Sequence, residues 1–65
     1  MEFNRLSVFA MRNYGDTVEQ VEEDEAEFWS LFGFVSAVNA REFAVCIGDF
    51  SSRQEAELIR SMLGY

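Results

Sequence analysis

Seven carboxylates stand within twelve positions of this chain: Asp16, Glu19, Glu22, Glu23, Asp24, Glu25 and Glu27, in a segment DTVEQVEEDEAE that holds no basic residue. Such a run could hold a hard cation, move protons, or offer an anionic surface to a basic partner. A dedicated calcium loop alternates Asp and Asn ligands around a central glycine and closes on a glutamate. That pattern is missing, so no metal site is expected. Proton transfer near neutral pH calls for a group whose pKa approaches the working pH, and the chain has no His and no Lys among its 65 residues. Carboxylate-pair hydrolysis calls for a sugar-sized groove that a chain this short seldom builds. Cys46 has no histidine to activate it, falls inside an apolar run and is expected to be buried packing. No enzyme and no cofactor are expected.

The third chemistry fits the spacing. On a strand, Glu23, Glu25 and Glu27 would recur about every 6.6–6.8 Å along one face. On a helix, Glu19, Glu22 and Glu23 would share a face at about 5–6 Å between Cβ atoms. Either is of the order of the separation between successive phosphates on one DNA strand, so a basic groove that accepts DNA could accept the run. The competing reading is a solvating surface. Crowded like charges repel, however, and a surface made only for solubility mixes its signs. The expected partner-binding set is therefore Asp16, Glu19, Glu22, Glu23, Asp24, Glu25 and Glu27, with Trp29 as an apolar anchor beside them.

Composition sets the frame for this surface. Twelve acidic residues against five arginines give a net charge of −7 and a pI near 4.2, which disfavours direct contact with nucleic acid or an anionic membrane. A 7.5 kDa chain has room for one domain, spanning 1–65. The single cysteine closes no intrachain disulfide. The apolar stretches fall far short of the roughly 18 residues of a membrane span, and no basic region precedes them as in a signal peptide. A cytoplasmic protein is expected, with a monomer favoured over a dimer.

The elements that must position the run follow from hydrophobic periodicity. Phe3–Met11 alternates as a strand, with Leu6, Val8 and Ala10 on one face and Phe9 and Met11 on the other. Asn13–Asp16 carries turn chemistry. Residues 17–26 read as a short acidic helix or turn, with a strand as the alternative. Phe28–Ser36 and Glu42–Phe50 pair as an antiparallel hairpin through a loop in which Asn39 is a turn residue. In the second of these strands Phe43, Val45 and Ile47 share one face, and Ala44, Cys46 and Gly48 the other. Strict alternation separates Trp29 and Leu31 from Phe28, Phe32 and Phe34. Ser52 as N-cap with Glu55 three residues on forms a capping box, and Ala56, Ile59 and Leu63 give the following helix an apolar face. Arg53 with Glu57 and Glu57 with Arg60 are expected as surface pairs. The expected fold class is α+β: a three-stranded antiparallel sheet with one C-terminal amphipathic helix, Ser52–Leu63, packed on one face. A single helix covers a single face, so apolar surface remains for a partner or a second copy.

A short acidic domain with a polarised carboxylate run resembles the phage- and plasmid-encoded DNA-mimic inhibitors, among them small anti-CRISPR and anti-restriction proteins. The segment Phe28–Leu63, a hairpin ending in Ile47-Gly48-Asp49-Phe50 followed by the capped helix, looks like a module common in mobile-element proteins. The likeness is one of kind, so no functional residue is carried over by position. It implies a role: a non-enzymatic inhibitor occupying the DNA-binding surface of a CRISPR surveillance complex or similar nuclease. The alternative is a structural or assembly module that self-associates through its aromatic sheet face. The first reading expects a monomer that loses its partner when the run is neutralised; the second expects an oligomer indifferent to that change.

Overall fold

The computed structural model describes residues 2–37 and 41–65. Strands β1 (Arg5–Asn13), β2 (Val18–Gln20), β3 (Phe28–Ser36) and β4 (Glu42–Phe50) form one antiparallel sheet in the order β2-β1-β3-β4, and helix α1 (Arg53–Met62) follows β4. The α+β class and the packed C-terminal helix agree with the sequence reading. Four strands replace the expected three because Gly15, at φ +92°, reverses the chain after β1 and lets Val18–Gln20 pair with Met11–Asn13. A glycine at the first central position of a two-residue loop is what mirrored hairpin turns require. Residues 17–26 thus divide: three become strand, and Glu23–Glu25 form a 3-10 turn. Asn39 lies outside the described residues; on either side of it, Ala37 N–H donates to the Arg41 carbonyl at 2.6 Å.

Register decides which side chains meet the helix. Leu6, Val8 and Ala10 face Gly33, Leu31 and Trp29 across the β1–β3 ladder, and Leu6, Ala10 and Leu31 join Ala56 of α1 as the buried apolar side chains among the described residues. Small residues let the helix approach closely. In β4 the pairs Phe32–Cys46 and Leu31–Gly48 leave Ile47 as a bulge residue, and a bulge inverts the alternation beyond it. Gly48 therefore lies on the Leu31 face and not with Ala44 and Cys46 as strict alternation predicts. Asp49 comes to the opposite face, where it accepts the hydroxyl of buried Ser30 at 2.5 Å.

Both helix ends are closed by local chemistry. Ser52 Oγ accepts from the Glu55 N–H at 3.2 Å, and the Glu55 carboxylate accepts in return from Ser51 and Ser52. At the other end Gly64, at φ +88°, lets its own N–H reach the Ser61 carbonyl and the Tyr65 N–H reach that of Arg60, the two bonds of a Schellman motif. This aims Tyr65 at the start of β1, where its hydroxyl donates to the Phe3 carbonyl at 2.8 Å and its ring meets the Phe3 ring edge-on. Phe3, expected as the first strand residue, instead leaves the sheet and lies over Gly33, where any Cβ would overlap its ring.

Three outcomes test this arrangement. Ser52→Ala should lower stability by about 0.5–2 kcal/mol in denaturant titrations, the usual cost of a lost N-cap. Gly33→Ala should destabilise by about 1–3 kcal/mol through overpacking, whereas removing strand glycine without a clash would stabilise; in a Phe3→Ala background the penalty should disappear. The third concerns pH. Hydrogen bonds from Asn4 and Arg5 hold Glu42 below its ordinary value of 4.5, and bonds from Ser51 and Ser52 do the same for Glu55. The folded state therefore binds fewer protons than the unfolded one as each group titrates, so their contribution is full above 4.5 and lost as pH falls below it. The denaturation midpoint should drop between pH 5 and pH 3, and the double change Glu42→Gln, Glu55→Gln should flatten that drop.

Candidate functional site

The acidic run is wound around one end of the sheet. After β2, the Val21 N–H donates to the Ala10 carbonyl at 2.9 Å, the 3-10 turn follows, and the Glu27 N–H returns to the Met11 carbonyl at 2.8 Å. Backbone bonds at both ends of the loop thus stitch it to β1. A 3-10 turn advances about 2 Å and a third of a turn per residue, so the carboxylates of Glu23, Asp24 and Glu25 fan outward. They form neither the evenly spaced row of a strand nor the shared stripe of an α-helix.

This winding brings Glu19, Glu22 and Glu25 together around an open depression of about 430 Å³, which Tyr14, Gln20 and Val21 complete. All three carboxylates are exposed. Glu23 and Asp24 stand exposed on the turn that follows, while Asp16, in the β1–β2 turn, is not among the lining residues. Glu27 serves the scaffold, since its carboxylate accepts the Asn13 N–H at 2.9 Å. The run, which contains no cation of its own, receives two from the fold. Arg53 at the start of α1 pairs with Glu23, and Arg12 on β1 lies 3.9 Å from Glu27 and donates to the Glu25 carbonyl at 3.4 Å. Arg53 therefore does not make the expected surface pair with Glu57, although Arg60 and Glu57 do pair at 3.3 Å. Seven carboxylates against two guanidinium groups leave the rim strongly negative.

Trp29, the expected apolar anchor, is half-buried. Its position opposite Ala10 and Phe50 puts it on the helix-covered face, and its indole nitrogen is buried without a partner among the described residues. It lines a second cleft, of about 220 Å³, with Val8, Val21, Glu23 and Arg53. The aromatic that accompanies the acids is Tyr14, 54% exposed. Its signal in the sequence is faint: one aromatic within a turn segment otherwise made of Asn, Gly and Asp.

On the opposite face of the sheet, Phe9 and Met11 of β1 stand beside Phe28, Phe32 and Phe34 of β3 with α1 on the far side. Cys46, expected to be buried, is exposed there, because β4 is an edge strand and nothing packs over that side of it among the described residues. Partial burial, the Asp49 charge and a hydrogen bond to Asp49 raise its thiol above the ordinary range, which reduces its thiolate fraction. No three acidic or cysteine side chains among the described residues converge as metal ligands. No helix among those residues is long and apolar enough to cross a membrane.

Arg12 and Arg53 keep much of their side chains in solvent, so each ion pair contributes only about 0–1 kcal/mol to stability. Their effect should be local. Arg12→Gln together with Arg53→Gln should leave the melting temperature within a few degrees of the parent while speeding amide hydrogen exchange at residues 22–26; unchanged exchange there would mean that the backbone bonds alone hold the loop. Comparison with protein families, curated proteins and solved structures finds no match to this chain.

Proposed function

We propose that this chain is a non-enzymatic inhibitor that presents the rim of residues 16–27 to a basic nucleic-acid-binding groove of a partner protein and so blocks DNA from entering it. The observation that carries the reading is that Glu19, Glu22 and Glu25 all line one exposed depression, with Tyr14 at its side. Here Arg53 pairs with Glu23 and Arg12 with Glu27, and these three carboxylates stand outside the ion pairs among the described residues. Clustered exposed charge of one sign raises the local potential and steers an oppositely charged partner. The depression is open and shallow, which suits Lys and Arg side chains reaching in from a groove wall. A CRISPR surveillance complex is the partner suggested by the likeness in kind to DNA-mimic inhibitors, and a cytoplasmic site of action accompanies it.

Neutralising Glu22, Glu23, Asp24 and Glu25 with Gln or Asn keeps size nearly constant and removes four charges. Partner binding should fall steeply, with association slowed more than dissociation is hastened, because steering depends on net field. Binding should compete with target DNA and weaken as salt rises, since both ligands draw on the same Lys and Arg side chains. Arg60→Gln, on the helix and away from the rim, should change little. A competition assay with partner, target DNA and these variants decides the matter: undiminished inhibition by the neutralised rim, or simultaneous binding of protein and DNA, defeats the proposal.

A further inference from the structure

We propose that the outer edge of β4 pairs with the same edge of a second copy of this chain, antiparallel and centred on Ala44, so that two sheets join into one. β4 ends the strand order β2-β1-β3-β4 and is nine residues long, well above the usual strand of about five or six. Its main-chain groups alternate between two sides. The Ala37 N–H donates to the Arg41 carbonyl, which makes these two residues a hydrogen-bonded pair at the head of the β3–β4 ladder. Hydrogen-bonded pairs recur at every second residue, so the next are Val35–Phe43 and Gly33–Val45, and Phe43 and Val45 turn their N–H and C=O groups toward β3. Glu42, Ala44 and Cys46 turn theirs outward, where no strand among the described residues receives them. A row of outward main-chain groups is a template for another strand.

Register and charge identify the occupant. The outward residues are spaced evenly about Ala44, so an identical strand run antiparallel through that point sets Ala44 against the partner's Ala44 and Glu42 against the partner's Cys46. Each outward N–H of these residues then meets an outward carbonyl. Any other register pairs one of them with a residue beyond the straight segment 42–46, which the bulge at Ile47 ends. The same pairing places Phe43, 48% exposed, directly opposite the partner's Val45, where side chains stand about 4.5–5.5 Å apart at Cβ and interact. No two carboxylates are opposed. Glu42 meets Cys46 and is already engaged by Arg5 and Asn4, and Asp49 lies beyond the bulge, where it accepts from Ser30. A basic segment would find little at this edge to single it out, whereas an identical strand meets no like charge within the pairing.

The opposite edge of the sheet limits the assembly to two chains. β2 is three residues long and carries Glu19, a short charged edge of the kind that resists pairing. Association through β4 alone uses the same surface on both chains, so it is isologous and closes on itself.

Sedimentation equilibrium of the full chain, from micromolar to near-millimolar concentration, should show the 7.5 kDa species giving way to one of twice that mass. So short a pairing buries less than a standard interface, and the dimer should form toward the upper end of that range. Amide hydrogen exchange locates the contact with no substitution. Where most chains are paired, exchange at Glu42, Ala44 and Cys46 should slow at least about threefold relative to dilute samples, while Phe43 and Val45, bonded to β3 in both states, should change little. Ala44→Pro removes an outward N–H and no bond to β3, a position at which an edge strand tolerates proline, and should weaken association at least about tenfold. Leu58→Asp, at an exposed position of α1, should not. A single monomeric mass over the whole range, a dimer whose added protection falls outside Glu42, Ala44 and Cys46, or a dimer unaffected by Ala44→Pro would overturn the proposal.

Discussion

One helix of ten residues can cover one face of a sheet and no more, and most of what this molecule presents to its surroundings follows from that limit. The face it covers is lined with small and aliphatic side chains, Leu6, Ala10 and Leu31, against Ala56. The phenylalanines of β1 and β3 alternate with these residues and must point the other way. A sheet cannot hide both sets at once. The close approach of helix to sheet is secured at its ends, by the Ser52–Glu55 cap and by Tyr65 locking onto Phe3 over Gly33. Those contacts fix the bare face as firmly as the covered one.

The same limit shapes the acidic rim. The chain between β1 and β3 is held by edge pairing, by the backbone hydrogen bonds of Val21 to Ala10 and Glu27 to Met11, and by those within its own turns. Such a loop has few apolar contacts, and its order rests on main-chain bonds plus Arg12 and Arg53. That division matters electrostatically. The cations steady Glu23 within the 3-10 turn and Glu27 at the start of β3, and leave Glu19, Glu22 and Glu25 outside the ion pairs among the described residues, so repulsion is relieved at two positions and kept around the depression.

Much of the scaffold was legible in local chemistry. The β3–β4 hairpin, the capping box and the α+β class appear in residues close together in sequence, because turns, caps and alternation are short-range effects. The separation of Trp29 and Leu31 from the phenylalanines was equally plain, since a strand has a period of two. What escaped depends on distant partners. The bulge at Ile47 carries no residue type that announces it, and it moved Gly48 and Asp49 to faces opposite those of simple alternation. Val18–Gln20 is strand only because β1 is there to receive it. Trp29 neighbours Glu27 in sequence, yet it stands half-buried on the sheet face that carries the helix, an element that begins more than twenty residues later. The rim was visible as composition, but its shape was not: the depression shared by Glu19, Glu22 and Glu25 exists because a three-residue strand and a 3-10 turn follow each other, a combination intermediate between the two regular periods that the spacing allowed.

Rim and aromatic face meet at Gln20, which borders both hollows, yet they obey different physics. Coulomb attraction to a basic groove weakens with ionic strength, and apolar association between two like-charged chains strengthens with it. One surface therefore need not exclude the other, even though a monomeric inhibitor and an assembly module look like rival readings of the sequence.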